Sequence, residues 1–181
     1  MRNTAADAAD DFFVGNQARR QVQAVLRFSR AQAEDESFLY EVYASSRMKE
    51  VGAWGWGPGQ IDHFLRMQYQ FQQKTYAAQY PEAGWELVWH GQQRVGRRMT
   101  ARLENRIVLV DVALLLIYQR QGIGTSLLQS LQQEAQKAGK PLCLSVQAHN
   151  PARRLYERLG FRTRQENGLY CEMIWQANTQ F

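Results

Sequence analysis

This sequence of 181 residues is short of several features, and each shortage excludes a class of protein. It has two cysteines, too few for the disulfide framework of a small secreted domain. No apolar run approaches the roughly 18 residues that a membrane span needs. The histidines are scattered and lack any metal-ligand spacing: His63, His90 and His149. We therefore expect no membrane span and no metal site, with Cys143 and Cys171 as buried free thiols.

The overall composition is that of an ordinary globular protein. Hydrophobic residues make up 45% of the chain and charged residues 22%, which excludes a disordered chain, a collagen-like repeat and a coiled coil. The length fits a single domain. The first residues contain no apolar stretch of signal-peptide length behind a basic segment, and we expect a cytoplasmic protein.

The charge is unevenly distributed along the chain. The formal net charge is +5, but residues 91–164 alone hold 13 basic and 4 acidic residues, while residues 1–90 are slightly acidic. A basic balance is typical of proteins that meet nucleic acid, an acidic membrane surface or an anionic small molecule. Whichever anion applies here, we expect it to meet the segment 91–164.

The hydrophobic pattern predicts a mixed α/β protein with antiparallel strands first and a βαβ unit later. Residues 1–20 are interpreted as an N-terminal arm, and residues 21–181 as a single domain. Helices are predicted to open at residue 33 and to cover 61–76, 122–138 and 150–159, with a glycine-rich loop at 54–59. Strands are predicted at 21–29, 85–90, 94–103, 106–114, 142–146, 161–165 and 169–175. Asn167 and Gly168 give a hairpin signal between the last two strands.

The sharpest chemical feature is a glycine-bearing turn between a buried strand and a helix. Glycines there allow a tight turn, and the helix N-terminus adds free N–H groups and partial positive charge, so main chain could hold a phosphate. An ordinary turn that needs glycine for close packing is the alternative. The spacing matches neither the dinucleotide fingerprint nor a P-loop. The turn consists of Gln119, Arg120, Gln121, Gly122, Ile123 and Gly124.

Two signatures in this chain resemble those of the GNAT superfamily, the acyl-CoA-dependent N-acyltransferases. The first is Gln119-x-x-Gly122-x-Gly124, which is similar to the superfamily's Gln/Arg-x-x-Gly-x-Gly/Ala motif. The second is the segment 150–161, which begins with Asn-Pro and ends with Leu-Gly-Phe. The resemblance covers roughly residues 22–176 and is strongest between residues 107 and 161. It implies a central mixed, mostly antiparallel sheet flanked by helices and splayed at the cofactor site.

The resemblance also implies roles for individual residues. The N–H groups from Gln119 to Gly124 would hold the pyrophosphate of acetyl-CoA, and Asn150 would hydrogen-bond the pantetheine arm. Tyr156 would protonate the leaving thiolate. The strand end that would pair with the pantetheine comprises Val112, Ala113 and Leu114. Arg120-Gln121 and Leu116-Ile117 depart from the usual family residues, and Arg120 is either a phosphate contact or a solvent-facing side chain.

The general base is left open by the sequence. Asp111 is the one acid inside the apolar run 107–116, and alternation places it on the same face as Leu109 and Ala113, opposite Val110 and Val112. It is therefore either the base or a structural group inside the fold. Glu172 is a second candidate, and ordered water a third.

We interpret the protein as an N-acetyltransferase that moves an acetyl or small acyl group from acetyl-CoA to a primary amine on a small molecule or peptide. A non-catalytic acyl-CoA-binding or partner-binding module of the same fold is the alternative. Trp54 and Trp56 either line the acceptor pocket or pin their loop to the body. Alternating arginines in strands 94–106 more often mark the wet face of a sheet than a nucleic-acid site. We expect no nucleic-acid or membrane partner; a homodimer is left open.

Overall fold

The computed structural model describes residues 26–177, and its elements follow the predicted order. The predicted arm 1–20 and the start of the first predicted strand lie outside the described residues. Helices are α1 (Glu36–Val51), α2 (Pro58–Gln79), α3 (Ile123–Ala138) and α4 (Arg153–Arg158). Strands are β1 (Leu26–Arg30), β2 (Trp85–His90), β3 (Gln93–Arg102), β4 (Ile107–Leu114), β5 (Leu142–Gln147), β6 (Arg162–Glu166) and β7 (Tyr170–Trp175).

The strands form one seven-stranded sheet in the order β1-β2-β3-β4-β5-β7-β6. Every neighbouring pair is antiparallel except β4 and β5, which are parallel. Parallel neighbours need a crossover connection, and α3 supplies it. The predicted mixed, mostly antiparallel sheet with a late βαβ unit is confirmed.

Local turn chemistry accounts for the helix ends that differ from the predicted ones. Helix α3 begins at Ile123 because Gly122 adopts a left-handed φ of 84° as its N-cap, and it ends before Gly139, whose φ is 63°. Helix α4 begins at Arg153, later than predicted. The side chain of Asn150 accepts a hydrogen bond of 2.9 Å from the N–H of Ala152, which keeps the Asn-Pro-Ala segment in a turn.

Helices cover both faces of the sheet, so the interior is divided into two apolar cores. Helices α1 and α2 pack on one face, with Val42 and Leu65 at the centre of that core. Helices α3 and α4 pack on the other, around Leu127 and Leu131. Each fully buried side chain of this size contributes about 1.5–3 kcal/mol. The first core lies under β2 to β4, and the exposed Ser145 and Glu172 of β5 and β7 show that the same face becomes open further along the sheet.

The sheet opens between its two parallel strands. Strands β4 and β5 are paired at three positions, the last of which joins Leu109 to Leu144. Beyond that point β5 continues to pair with β7 as far as Gln147, whereas β4 continues to pair with β3. The main chain of residues 110–114 therefore has no β5 partner along the edge that faces β5. The opening is the splay predicted by the resemblance.

A β-bulge in β4 determines which way Asp111 faces. The register between β3 and β4 shifts at Met99 and Thr100, where Met99 pairs with Asp111 and Thr100 with Leu109. Val110 is the extra residue. The extra residue reverses the alternation, so Asp111 lies on the α1/α2 face while Leu109 belongs to the opposite core. The sequence predicts that Asp111 shares a face with both Leu109 and Ala113. The prediction is wrong for Leu109 and correct for Ala113, which packs on the α1/α2 core.

Candidate active site

The glycine-bearing turn presents unusual backbone conformations at the open edge of the sheet. Gly122 has a φ of 84°, and Arg120 has a φ of 62°. Left-handed conformations are natural for glycine but strained for arginine. Among the described residues, Arg120 is the one non-glycine residue with a positive φ. A strained residue held in a turn of this kind is typical of functional loops.

These conformations leave a series of amide groups without partners. The first helical bond of α3 runs from the N–H of Ser126 to the carbonyl oxygen of Gly122, at 3.0 Å. Residues 123–125 occupy the first helical turn, where N–H groups have no intrahelical acceptor. Within the described part of the chain, the N–H groups of residues 120–122 donate no hydrogen bond either. The turn therefore presents consecutive donors at the positive end of a helix, which suits a phosphate group.

The glutamines of the turn bind the protein rather than face a ligand. The side-chain amide of Gln119 donates to the carbonyl oxygen of Leu114 at 2.9 Å, and that of Gln121 donates to the carbonyl oxygen of Ile117 at 2.7 Å. Both bonds tie the turn to the strand end and to the short segment that follows it. The side chains shape the loop, and its main chain stays available.

The strand end that precedes this turn approaches β3 very closely. Gly96 of β3 pairs with Leu114 of β4. A Cβ atom on Gly96 would overlap the carbonyl oxygen of Ala113 and lie 2.7 Å from Cδ2 of Leu114. Glycine is required here because any side chain would push residues 113 and 114 away. Gly96 therefore helps to fix the edge of β4 where the sheet opens.

Tyr156 lies in α4 on the opposite side of the opening from α1 and α2. Its side chain is buried, and its ring packs edge-on against Phe161 with 5.8 Å between centroids. Burial, together with the negative charge of Asp111, raises the pKa of the Tyr156 phenol to about 12. The phenol therefore keeps its proton at neutral pH.

Asn150 lies at the turn before α4. Its side-chain oxygen is occupied by the N–H of Ala152, while its side-chain nitrogen makes no hydrogen bond with residues 26–177. One donor of the amide group is thus available on this side of the opening.

Asp111 lies in a polar network beneath α1 and α2. Its Oδ2 accepts hydrogen bonds from the side-chain amide of Gln72 at 3.2 Å and from the hydroxyl of Tyr76 at 3.4 Å. Its Oδ1 lies 3.6 Å from Nη2 of Arg97. Burial raises the pKa of Asp111, and the charge of Arg97 opposes that rise. The raised pKa is the direction that favours a general base.

Sequence reasoning missed Arg97, Gln72 and Tyr76. The arginines of β3 are expected on a wet face, and Arg94 and Arg102 near its ends are exposed, but Arg97 and Arg98 are only 1% and 4% exposed. The expectation is wrong for this central pair, because helices cover both faces of the sheet there. That consecutive pair in a strand is the signal that could have indicated a buried ion pair. Neither guanidinium is available to a nucleic-acid phosphate.

A shallow cleft of about 200 Å³ lies on the face of β5, β6 and β7 that no described helix covers. Glu172 of β7 pairs directly with Ser145 of β5, and Ser145 follows the last β5 residue that pairs with β4. The cleft therefore begins where the sheet opens, and Glu172 is its one carboxylate among residues 26–177. Its lining residues are Ser145, Gln165, Asn167, Tyr170 and Glu172.

Trp54 and Trp56 form an aromatic cluster with Phe64 of α2. The three ring pairs are edge-to-face, with centroids 5.1, 5.3 and 5.6 Å apart. The two indoles thus pin the loop to α2, and each remains about half exposed. The two tryptophans therefore hold the loop against α2 and also present an exposed aromatic surface.

Metal and thiol chemistry have no candidate site in the described chain. Residues 26–177 contain no group of three or more His, Cys, Asp or Glu side chains that could hold a metal ion. Cys171 is buried and Cys143 half-buried, and both are free; burial raises the pKa of the Cys143 thiol, which makes it less reactive. Over the same range no helix is both long and apolar enough to cross a bilayer.

A mostly antiparallel sheet that opens beside a glycine turn and is flanked by helices is the fold of GNAT acetyltransferases. Residues 62–174 match the family model described as an acetyltransferase (GNAT) domain. The match covers more than half of the chain, and the protein belongs to this family. Membership confirms the resemblance drawn from the two signatures.

Solved structures show the same fold at low sequence identity. The PaiA N-acetyltransferase from Thermoplasma acidophilum, in complex with coenzyme A, is 18% identical with a TM-score of 0.63, covering 83% of this chain and 98% of its own. An acetyltransferase from Thermus thermophilus is 19% identical, with a TM-score of 0.59 and coverages of 84% and 97%. The ribosomal-protein-S18-alanine N-acetyltransferase from Escherichia coli is 23% identical, with a TM-score of 0.55 and coverages of 86% and 99%. No curated protein sequence matches the chain.

Proposed function

We propose that this protein is an N-acetyltransferase that moves an acetyl or small acyl group from acetyl-CoA to a primary amine. One observation carries the proposal. The opening between β4 and β5 frees the edge of β4 at residues 110–114, which carries Asp111, and the unpartnered amides of the glycine turn lie at the end of that segment. The family membership supports acetyl transfer, and the choice of an amine as acceptor is our own.

The substrate acetyl-CoA fits the parts of the opening in order. The pyrophosphate suits the N–H groups of residues 120–125, because main-chain donors at a helix N-terminus bind phosphate without any particular side chain. The pantetheine suits the free edge of β4 at Val112, Ala113 and Leu114, with the side-chain nitrogen of Asn150 as a further donor. The departures at Arg120 and Gln121 do not affect this fit, since main-chain groups make the contacts.

The chemistry of the transfer needs three events that these residues can support. The neutral amine attacks the thioester carbonyl carbon, a new C–N bond forms, and the C–S bond breaks. The leaving thiolate takes a proton from the Tyr156 phenol, which is protonated at neutral pH. The attacking nitrogen loses a proton to a base, and that proton balances the one that Tyr156 gave.

We assign the base to Asp111, with Glu172 as the second candidate. Asp111 lies on the opened segment of β4 and its charge contributes to the raised pKa of Tyr156, whereas Glu172 lies in the cleft of β5, β6 and β7. Glu172 lies in the open cleft, where it suits a cationic acceptor waiting to react. Two of the structural relatives are N-acetyltransferases, which supports an amine as the acceptor.

The first experiment asks whether the protein binds acetyl-CoA. Isothermal titration calorimetry should show stoichiometric binding of acetyl-CoA, and an absence of binding would contradict the proposal. The second measures thiol release from acetyl-CoA with a panel of amines: a polyamine, an aromatic monoamine, an aminoglycoside, an amino acid and peptides with a free N-terminus or a lysine. Thiol release with one member, and transfer of one acetyl group to it by mass spectrometry, would establish the reaction.

The alternative is a module that binds acyl-CoA, or a partner protein, without turnover. The buried Tyr156, whose hydroxyl makes no hydrogen bond with the described residues, favours the enzyme, because a binding module has no use for a protonated phenol beside the thioester. Stoichiometric acetyl-CoA binding without thiol release, for any amine of the panel, would favour the module instead.

A further inference from the structure

A buried ion pair lies between the sheet and the helices α1 and α2. The guanidinium of Arg97 is 1% exposed, and the carboxylate of Asp111 is 13% exposed. The separation of 3.6 Å between Nη2 and Oδ1 makes them an ion pair without a direct hydrogen bond. Oδ1 accepts no hydrogen bond from any described residue. A buried acceptor without a donor is rare and needs an explanation.

One glutamine joins the two charges. Nη2 of Arg97 donates to Oε1 of Gln72 at 3.0 Å, and Nε2 of Gln72 donates to Oδ2 of Asp111 at 3.2 Å. The hydroxyl of Tyr76, one helical turn further along α2, donates to the same Oδ2 at 3.4 Å. The donors therefore collect on Oδ2, while Oδ1 faces Arg97 with its lone pairs unused.

The guanidinium is itself held in place from several sides. Its Cζ atom lies 4.1 Å from the ring centroid of Trp85, and the ring centroids of Tyr43 and Tyr69 are 5.4 and 5.5 Å away. Nη1 donates to the carbonyl oxygen of Leu39 at 3.3 Å. Aromatic packing around a desolvated cation is favourable. Arg97 is thus fixed, and through Gln72 it fixes the carboxylate.

Stability alone does not account for this arrangement. Well-packed hydrophobic residues in place of a buried ion pair are often neutral or stabilising, so such a pair is weak evidence of a structural role. The position of the pair is informative instead. Asp111 lies two residues beyond Leu109, the last residue of β4 that pairs with β5. Its charge also reaches Tyr156 across the opening.

We propose that Arg97, Gln72 and Tyr76 are positioning residues for acyl transfer, which hold Asp111 as an oriented carboxylate on the segment of β4 where the sheet opens. The inference rests on the proposed function, in which Asp111 takes the amine proton. The amine proton passes to Asp111 as the C–N bond forms. Because Oδ1 is buried, it takes that proton from the acceptor, or from a water molecule, that enters beside Arg97. The titratable and charged groups that act on Asp111, or on which it acts, are Arg97 from β3, Tyr76 from α2, Arg47 and Tyr43 from α1, and Tyr156 from α4.

The test measures the ionisation of Asp111 directly and needs no acceptor. Aspartate carboxyl carbons are labelled with carbon-13, the Asp111 signal is assigned with Asp111→Asn, and its titration is followed by NMR. Arg97→Met should raise the apparent pKa of Asp111 by about one to three units, because an opposite charge at this distance lowers a carboxyl pKa by that amount. Tyr76→Phe should raise it by less, and Arg97→Lys should retain most of the wild-type value.

Arg98→Met is the matched control. Arg98 is the next residue of β3 and is also buried and ion-paired, but it lies on the other face and pairs with Glu86. The Arg98→Met variant should therefore keep the apparent pKa of Asp111 within a few tenths of a unit of the wild-type value. Should Arg97→Met fail to fold, Tyr76→Phe decides, since it removes one hydroxyl and keeps the ring.

Three outcomes would overturn the inference: an unshifted Asp111 in both Arg97→Met and Tyr76→Phe, an equal shift in Arg98→Met, or a wild-type Asp111 that is protonated at neutral pH. In each of them acetyl-CoA binding and thiol release could still be intact, so the proposed function would stand with another base. Conversely, the expected shifts in the pKa of Asp111, found in a protein that does not bind acetyl-CoA, would overturn the proposed function. Arg97, Gln72 and Tyr76 would then orient Asp111 for a structural reason only.

Discussion

Arg97 and Arg98 are consecutive residues of one strand, and they show how differently the two faces of the sheet use the same chemistry. On the α3/α4 face, Nε of Arg98 donates to Oε2 of Glu86 at 2.8 Å, and its guanidinium carbon lies 3.4 Å from the ring centroid of Phe28. On the α1/α2 face, Arg97 stands 3.6 Å from Asp111 and reaches it through Gln72. In the first pair the carboxylate accepts a direct hydrogen bond and Nη1 of Arg98 is left without a partner among the described residues, whereas in the second the acceptor, Oδ1 of Asp111, is the atom without one.

Burial and charge therefore do not by themselves mark a functional group. Both arginines are almost completely buried, and both have an acidic partner. Only the geometry of the contacts separates them. The Arg98–Glu86 pair has a short charge-assisted bond that gives its carboxylate a donor, while the Arg97–Asp111 pair has a buried carboxylate oxygen without a donor from residues 26–177.

The largest expected effect is a loss of stability when Arg97 or Arg98 is replaced singly. Arg97→Met leaves a nearly buried carboxylate unpaired, and breaking such a pair costs about 3–5 kcal/mol in the free energy of unfolding. Arg98→Met should cost less, because Glu86 is 22% exposed and water can screen its charge. Urea denaturation of the two variants measures both values. Equal losses would show that the two ion pairs do not differ in energy.

The pH dependence of the Arg97→Met loss follows from the raised pKa of Asp111. A carboxyl group with a raised pKa in the folded state stabilises that state below its usual value of 3.8, and the contribution is lost as the pH rises through the folded-state pKa. The deficit of Arg97→Met relative to wild type should therefore shrink as the pH falls towards 4 and widen above it. Denaturation at acid and neutral pH checks the sign, and a deficit independent of pH would contradict it.

The next effect concerns Tyr156, which stands on the α3/α4 side of the opening. Tyr156→Phe should lower kcat for the acceptor found in the panel by about 10²-fold or more, the usual loss when a general acid is removed. Acetyl-CoA affinity should be retained, because the ring and its packing on Phe161 remain. Tyr80→Phe, at the far end of α2, is the matched control, and a full kcat in Tyr156→Phe would remove the acid from the mechanism.

The same variant tests the ionisation of the phenol. The ultraviolet difference between the wild type and Tyr156→Phe isolates one tyrosine, and its titration should have its midpoint near pH 12. Stability contributed by this raised pKa is present below pH 10, the usual value for tyrosine, and is lost as the pH rises towards 12. A midpoint near 10 would show that the phenol is neither buried nor near a negative charge.

Gly96 extends the contrast because it lies on the strand that carries both arginines. Gly96→Ala places a methyl group against the carbonyl oxygen of Ala113, and overpacking of this kind costs about 1–3 kcal/mol. Because the shift falls on residues 113 and 114, acetyl-CoA affinity should fall as well. Gly139→Ala is the control: its φ of 63° makes it strained, but nothing lies near its Cβ, and it lies near residue 141, at the other end of β4 from the opening. That variant should lose stability without losing affinity.

Sequence reasoning found the parts of the site that are local along the chain. The glycine turn and Tyr156 lie in short segments whose spacing is readable, and the strands 85–90 and 106–114 are apolar runs bounded by polar turns, so their bounds are predicted within a residue or two. Each of these depends on contacts between residues that are near in sequence.

The Asp111 network could not be predicted in the same way. Gln72 and Asp111 are 39 residues apart, and Arg97 and Gln72 are 25 apart, so no local pattern relates them. The bulge at Val110 adds a second obstacle, because one extra residue reverses the face of every side chain that follows. Nothing in the run Ile-Val-Leu-Val-Asp announces where that residue is. The Asp111 network is therefore a product of tertiary structure.

The smallest expected effect belongs to a substitution in the glycine turn that distinguishes the contribution of its backbone from that of its side chains. Arg120→Gly should relieve strain, because the left-handed φ of 62° at this position suits glycine. Glycine also gives the unfolded chain more entropy, so we expect a net stabilisation of only about 0.5–1 kcal/mol. Gln121→Gly is the matched control and should destabilise, since it removes a 2.7 Å hydrogen bond to Ile117 and gains no relief of strain. Acetyl-CoA affinity of Arg120→Gly should stay within about twofold if main-chain amides bind the phosphates. If Arg120→Gly binds acetyl-CoA much more weakly than the wild type at low salt but equally at high salt, the Arg120 guanidinium, and not the loop backbone, neutralises the phosphate charge.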